Sequence, residues 1–312
     1  MYARRAMIAA PRRPVRATSK LMGEIFSLAA AFTFSAAVIL LKRSGEHVSP
    51  YALNLFRATL SAALLLIVTV VIGQPFWISV ARVDVLALVA SGLIGIALAD
   101  TLFHRGLNRA GAGITGVVDC LYSPFVGLFA AALIGECPRL AQWGGMALVI
   151  AGTLVATQSG LSRPVKARGV WVGVAYGVVA IAAMALSLVL MKPTLARVPL
   201  MWAVTVRQST SALAMLAVAF AAPQRRQLMG VFRPSPAWRF SLPGTILGSF
   251  VALLLWIAGA KYAQVTTAAI LNQTSALHTL VLASLFLGEP FTRQRVTGAL
   301  LGVAGILLVT LG

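Results

Sequence analysis

Acidic residues are scarce in this chain. Only seven of its 312 residues are Asp or Glu, against 26 Lys or Arg, and charged residues make up 11% of the total. A soluble domain usually carries about 25% charged residues, so this composition excludes an ordinary water-compatible surface. Hydrophobic residues reach 59% and the mean hydropathy is +0.90. We therefore expect the chain to lie in a lipid bilayer.

Cysteine and histidine are also rare. The two cysteines, Cys120 and Cys137, have no metal-ligand spacing and no partner motif, so we interpret both as small packing residues. The three histidines are far apart in the chain, and neither a Gly-rich phosphate loop nor a Ser/His/Asp set appears. The sequence thus predicts a protein that is not an enzyme and that uses no cofactor and no metal.

Basic residues lie between the apolar runs rather than on one soluble face. The net charge of +19 therefore indicates contact with lipid headgroups, and it argues against nucleic-acid binding. Six Lys or Arg fall within the first twenty residues without an acid. We predict that residues 1–21 form a basic, disordered tail. Translation from Met22 is an alternative that would remove this tail.

The apolar runs predict an all-α polytopic membrane protein with ten transmembrane helices. Each run approaches the roughly 20 residues that a membrane-spanning helix needs. A basic linker at 158–169 separates two halves, 22–157 and 170–312, with five spans each. The predicted spans are 23–41, 51–72, 84–103, 111–134, 141–157, 170–191, 199–220, 242–260, 265–287 and 293–311.

The two halves repeat each other. Residues 131–157 match residues 284–310 in register, so that Gly135–Glu136 falls on Gly288–Glu289. An odd number of spans per half makes the second half enter the membrane from the opposite side, which predicts two inverted five-helix repeats. We assign the repeated Glu136 and Glu289 to structure, because a carboxylate just before a helix N-terminus is favoured by the helix dipole.

Asp119 is the sharpest candidate for a functional residue. A charge at the centre of a membrane helix costs about 2.5–3.5 kcal/mol on insertion scales, and Asp119 lies near the middle of the fourth span. Tyr122 and Ser123 share its helix face, and Pro124 loosens the helix beside them. Its repeat partner is Asn272, which has the same shape without the charge. Asp119 could bind a proton or a cationic group; the alternative is a silent pair with a neighbouring Arg.

Two further sets of ionisable residues lie in the spans. Asp100 and His104 share a face near the end of the third span. They could form a proton relay, or they could mark a solvated end of the helix. Arg57 and Arg207 occupy matching repeat positions, and each could grip an anion or extend to the membrane surface. Asp84, with Glu46, falls in or beside a connection, where we expect solvation.

Other polar and aromatic residues complete the predicted pathway. Asn272 and Gln273, with so many polar groups around them in the ninth span, should face a cavity rather than lipid. Trp256 and Tyr122 could form an aromatic wall, although packing is the common role of such residues. Glu24, close to the membrane edge, could also face the pathway.

The sequence resembles the EamA-like transporters of the drug/metabolite transporter superfamily over about residues 22–312. The resemblance rests on the start MGEIFSLAAAFTFSAA, on Pro50 to Arg57, on residues 97–136 and on the counterpart LVLASLFLGEP. It implies an inner-membrane carrier with cytoplasmic termini and a central cavity walled mainly by spans three, four, eight and nine. Members move amino acids, metabolites, sugars or drugs, often outward.

These observations predict a secondary transporter that exports a small metabolite or an amino-acid-like solute by alternating access. Its partners would be the solute, membrane lipids and protons as a coupling ion, and it would act as a monomer or homodimer. The alternatives are a flippase for lipid headgroups or lipid-linked precursors, and a membrane scaffold without transport. Lys and Arg divide almost evenly between the two sides, so orientation rests on the basic tail, which favours a cytoplasmic N-terminus.

Overall fold

The computed structural model describes residues 17–45, 49–75, 78–110, 118–119, 121–157, 167–287 and 293–311. Within these ranges the regular structure is entirely helical, which confirms the all-α prediction for this part of the chain. Residues 1–16 of the predicted tail and 158–166 of the predicted linker lie outside it, as does Glu46.

The described residues of the first half form five main helices. They are α1 (Ala17–Gly45), α2 (Pro50–Val71), α3 (Arg82–Gly92, π-helical Leu93–Leu98 and Ala99–Ala110), α4 (Tyr122–Phe129 and π-helical Ala130–Ile134) and α5 (Leu140–Thr157). Pro50 starts α2, where its fixed φ and missing N–H suit the first helical turn. Gly135 ends α4 with a φ of +68°, a conformation that glycine adopts without steric cost.

The second half follows the same order. Its helices are α6 (Ala167–Leu195), α7 (Leu200–Ala221), α8 (Trp238–Thr245, π-helical Ile246–Val251 and Ala252–Tyr262), α9 (Val265–Gln273 and Ser275–Leu287) and α10 (Arg293–Leu311). A short helix, Arg225–Met229, continues as a 3₁₀ turn to Phe232 between α7 and α8.

Six of the described helices are long and apolar enough to cross a membrane. They are Ser19–Leu41, Tyr51–Val71, Arg82–Phe103, Trp171–Leu195, Leu200–Ala221 and Trp238–Tyr262. Shorter apolar helices cover Tyr122–Ile134, Leu140–Gly152 and Val296–Val309. The multi-span architecture is therefore confirmed, while the full count of ten spans stays a prediction.

Helices of one half pack against helices of the other, and each such pair has an equivalent pair related by the repeat. α3 packs against α6 as α8 packs against α1, and α4 meets α6 as α9 meets α1. α2 packs on α7, and α5 packs on α10. The main apolar core joins α2, α3, α4, α6, α7, α8 and α9, with Leu188, Ile181 and Ile257 fully buried. Each half thus completes the packing of the other.

The two π-helical segments of α3 and α8 also follow the repeat. Leu93–Leu98 and Ile246–Val251 occupy the same positions in the two halves. π segments are rare and mark functional sites in many proteins. A glycine lies at the third position of each: a Cβ added at Gly95 would strike Ser187 of α6, and one added at Gly248 would lie 2.8 Å from Ala37 Cβ of α1. Both helices therefore approach their partners closely at the π turn.

Glycines let α5 and α10 cross with their backbones in contact. A Cβ added at Gly152 would lie 2.5 Å from the carbonyl oxygen of Gly298, and one added at Gly145 would lie 2.7 Å from that of Gly305. These residues belong to the repeated segment that the sequence singles out. Small residues at such crossings allow close van der Waals packing, which drives helix association in membranes.

We predict that Gly152→Leu destabilises this crossing. The added side chain meets backbone, which cannot move aside cheaply, and overpacking costs about 1–3 kcal/mol. The apparent melting temperature of the purified protein should fall by several degrees. Gly230→Ala is the control, because nothing lies within 4 Å of a Cβ added there. Equal melting of Gly152→Leu and wild type would contradict the close crossing.

Candidate solute cavity

A cavity of about 280 Å³ lies at the centre of the helix bundle. The family resemblance implies walls from spans three, four, eight and nine; the structure places residues of α1, α2, α6 and α7 around the cavity as well. Eight of the ten predicted site residues line it: Arg57, Asp100, Asp119, Tyr122, Arg207, Trp256, Asn272 and Gln273.

Of the other two predicted residues, Ser123 does not line the cavity. Ser123 is fully buried behind the cavity wall, and its hydroxyl donates a hydrogen bond to Gln273 Oε1. Gln273 Nε2 in turn donates to the backbone carbonyl of Asp119 at 2.8 Å. Ser123 and Gln273 therefore tie α9 to α4 beside Asp119. The His104 side chain falls outside the described part of the chain, so the predicted relay with Asp100 stays a prediction.

Asp119 is accessible to the cavity. Its side chain is exposed although Asp119 lies near the middle of the predicted fourth span. The ion pairs between described residues are Lys20–Glu24 and Asp84–Arg197, so no described Arg or Lys neutralises Asp119 within 4 Å. A carboxylate in this position is available to a proton or to a cation that enters the cavity.

Asp100 lies across the cavity with an amide partner that sequence reasoning missed. Asn54 Nδ2 of α2 donates to Asp100 Oδ2 at 3.3 Å. The signal in the sequence was present, because Asn54 lies in the repeated segment from Pro50 to Arg57, one helical turn before Arg57. Asn54 is 5% exposed and lines the cavity.

Arg207 lies inside the bundle, where residues of two other helices contact its side chain. It is 3% exposed, its Nε donates to Ser91 Oγ at 3.0 Å, and its guanidinium lies 5.4 Å from the centroid of the Trp256 ring. Ser91 Oγ itself donates to the Ser187 carbonyl at 2.8 Å. The charged head therefore stays in the cavity wall instead of reaching the membrane surface, which the sequence had left as an alternative.

Arg57 mirrors Arg207 from the other half. Its Nε donates to Ser249 Oγ at 3.0 Å, in the π segment of α8. Arg207 correspondingly faces the π segment of α3, where a Cβ added at Gly95 would lie 3.1 Å from its Nη2. Each arginine thus lies against the π segment of the opposite half. The two guanidinium groups, like the two carboxylates, line one cavity without an ion pair among the described side chains.

Two polar atoms in the cavity wall lack hydrogen-bond partners among the described residues. They are Tyr122 Oη and Trp256 Nε1, both buried. Tyr122 as a whole is only 8% exposed. An unsatisfied buried polar group costs about 1–3 kcal/mol, so these two groups favour a site whose hydrogen bonds are completed by a bound molecule.

Two acidic residues lie away from the cavity, and one of them differs from the expectation. Asp84, expected to be solvated, is 2% exposed; it pairs with Arg197 and accepts a hydrogen bond from Thr194 Oγ1 at 2.8 Å. The Asp84 carboxylate also raises the pKa of the Arg197 guanidinium. Glu24 pairs with Lys20 at 3.6 Å and does not line the cavity. Both carboxylates therefore have a cationic partner away from the cavity.

Glu136 acts on a different helix from the one expected. Its Oε2 accepts a hydrogen bond from the backbone N–H of Val265 at 2.9 Å, at the start of α9. The dipole argument holds, but the helix belongs to the other half. Nearby, Gln142 Nε2 donates to Gln264 Oε1 at 2.7 Å and to Thr267 Oγ1.

Together these contacts form a polar cluster between the halves at one end of the bundle. We call Asp84, Arg197, Glu136, Gln142 and Gln264 the end cluster. None of its members lines the central cavity. It joins the start of α3 to the connection after α6, and the α4–α5 connection to the start of α9.

The fold and the cavity define a class of protein: a polytopic membrane carrier built from two related helical halves around a polar site. The family profile of the EamA-like transporters matches residues 21–158 and 171–311. The match covers both halves, and the chain belongs to the EamA-like transporter family. It is therefore a membrane transporter, because this is a family of transporters and not of enzymes.

Comparison with solved structures supports the fold. One structure, described only as a crystal structure of a protein, superposes with a TM-score of 0.78 at 20% sequence identity. The match covers 94% of this chain and 97% of the other. At this identity the likeness concerns the fold alone. A search among curated proteins gave no match.

The accessibility of the cavity can be tested with single cysteines in a protein whose Cys120 and Cys137 are replaced by serine. We predict that Asn272→Cys, which lines the cavity, reacts with a small water-soluble thiol reagent. Ile270→Cys is the matched control on the same helix, because Ile270 is fully buried and should resist modification. Mass spectrometry measures both reactions. Similar reaction rates at the two positions would contradict the placement of Asn272.

Proposed function

We propose that this protein is a secondary active transporter that exports a small zwitterionic, amino-acid-like metabolite across the inner membrane by alternating access. The observation that carries this proposal is the set of two guanidinium groups and two carboxylates that line one cavity without pairing among themselves. Charged side chains at this depth in a membrane-spanning bundle are costly unless they have partners. A solute with one anionic and one cationic group would compensate both kinds.

The two charges of the solute would have different partners. Arg207 is the anchor for the anionic group, because Ser91 and Trp256 fix its orientation and its planar fork suits a carboxylate. Asp119 takes the cationic group or a coupling proton. It is accessible, and no Lys or Arg of the described residues lies within 4 Å of its carboxylate. Asn272 provides hydrogen bonds from the opposite half.

The cavity volume limits the solute to a small molecule. Ligand sites commonly measure about 300–1,000 Å³, and this cavity of about 280 Å³ is slightly smaller than the lower limit of that range. The unpartnered Tyr122 Oη and Trp256 Nε1 provide two further hydrogen-bonding groups in the wall. A compact solute that exposes several polar groups fits these properties better than a large apolar drug.

Alternating access requires that the contacts between halves break at one end of the bundle and form at the other. The end cluster has the properties of such a gate: it is polar, it joins the two halves, and it lies outside the central cavity. In the membrane orientation that we propose, both termini are cytoplasmic. The end cluster then lies on the cytoplasmic side, where α1 begins.

The proposed role of Asp119 can be tested by transport. Purified protein in liposomes should move a zwitterionic solute from a metabolite panel, and a pH gradient should change the rate. We predict that Asp119→Asn abolishes either solute binding or the response to the gradient, because the amide is neutral at every pH.

Glu24→Gln is the control for the loss of a carboxylate. It removes a buried acid that belongs neither to the cavity nor to the end cluster, so it should leave the gradient response intact. An Asp119→Asn protein with wild-type affinity and wild-type gradient response would overturn the role of Asp119.

The gate can be tested by cross-linking. We predict that Gln142→Cys combined with Gln264→Cys, in a protein whose Cys120 and Cys137 are replaced by serine, loses at least tenfold in transport rate when a short bis-methanethiosulfonate joins the two cysteines through disulfides, because the bridge holds the two halves together. A reducing agent that cleaves the bridge should restore activity. Each single cysteine treated in the same way is the control. Full transport by the bridged protein would show that these helices need not separate.

A further inference from the structure

A second cavity of about 590 Å³ lies beside the central one. It is a groove between α2, α3 and α7, roofed by the residues around the short helix Arg225–Met229. The part of α3 after its π segment packs mainly on α6 and hardly meets α2. Tyr51 Oη donates to the Met215 carbonyl at 3.1 Å, which joins α2 to α7 along the floor of the groove.

One part of this groove is apolar. Its walls include Leu98 and Leu102 of α3, Val218 of α7 and Leu228 of the short helix. Leu98 is 50% exposed and Val218 is 59% exposed. Both lie in helices that are apolar enough to cross a membrane, where the surrounding medium is hydrocarbon. This part of the groove is therefore open to acyl chains.

The other part of the groove is polar and positively charged. Among the described residues, Arg105 is the only one with a charged side chain that lines this part, and the amides of Gln224 and Gln227 lie there as well. Arg225 and Arg226 are exposed on the roof. None of the acids in the described part of the chain lines this cavity. The groove thus offers donors for an anion next to a channel for an apolar chain.

We propose that this groove binds an anionic phospholipid from the surrounding bilayer. The headgroup phosphate would contact Arg105 and the two amides, and an acyl chain would lie along Leu98 and Val218. An arginine provides charge-assisted hydrogen bonds to phosphate, and attraction of cationic side chains to anionic lipids is worth about 1 kcal/mol each near the surface. The site differs from the central cavity and does not depend on the proposed solute.

The bound lipid would lie next to the transport machinery. Asn54 lines both the groove and the central cavity, and its amide donates to Asp100. The side chain of Asn54 therefore borders both the lipid site and the cavity that holds the carboxylates. A change in the bound lipid would therefore affect the solute site through Asn54.

Lipid retention by the full-length protein tests this proposal. The protein is placed in nanodiscs of phosphatidylcholine with increasing phosphatidylglycerol, and native mass spectrometry counts the lipids that remain bound after release. We expect one phosphatidylglycerol to be retained in preference to phosphatidylcholine. Arg105→Gln should weaken this retention roughly fivefold, the effect of losing one such cation. Val218→Trp, which fills the groove, should remove it.

Two matched variants serve as controls. Arg109→Gln lies one helical turn further on α3, where Arg109 is exposed and sits 5.0 Å from the Tyr176 ring centroid outside the groove. Leu213→Trp lies on α7 at an exposed position outside the groove. Both should retain the lipid. Equal losses in Arg105→Gln and Arg109→Gln, equal retention of the two lipids, or retention in Val218→Trp would each overturn the proposal.

Discussion

The burial of a guanidinium group inside an apolar helix bundle is the constraint on which the centre of this structure depends. A cation at this depth is expensive unless the protein surrounds it with partners. Arg207 obtains them from three other helices: Ser91 of α3, Ser187 of α6 through that serine, and Trp256 of α8. Gly92 allows α3 to approach, since a Cβ there would lie 2.5 Å from the Arg207 carbonyl oxygen. The positions of α3, α6 and α8 around α7 are therefore coupled to one side chain.

The two halves share their scaffold and differ in their charges. The glycine crossing of α5 and α10, the paired π segments and the paired arginines obey the repeat. Asp119 and its counterpart Asn272 do not, although both line the cavity. A scaffold that obeys the repeat can carry a cavity whose two walls are chemically unequal. Such a cavity can distinguish the two ends of an asymmetric solute.

The sequence predicted much of the fold and the membership of the cavity, for a physical reason. Polar residues in an apolar span must face something other than lipid. The positions of Asp119, Asn272 and Arg207 within such spans therefore identified them as candidates for the cavity wall. The partners of these residues could not be found in this way. Asn54 reaches Asp100 from another helix, and Glu136 binds the backbone of Val265 far along the chain. Such pairs depend on how the helices cross, which local pattern does not specify. Asp84 was missed for the same reason, because its partner Arg197 comes from the other half.

The π segments of α3 and α8 have one further geometric consequence. An α-helix turns by about 100° per residue, and a π turn takes up one more residue in each hydrogen-bonded loop than an α turn does. Residues beyond Leu98 and Val251 therefore point in directions rotated from those that an uninterrupted helical wheel assigns. Asp100 lies two residues beyond the first segment and Trp256 lies five residues beyond the second, and both line the cavity. A switch of either segment to regular α-helix would turn one of these side chains about its helix axis, so the orientation of the cavity wall depends on the local winding of the backbone.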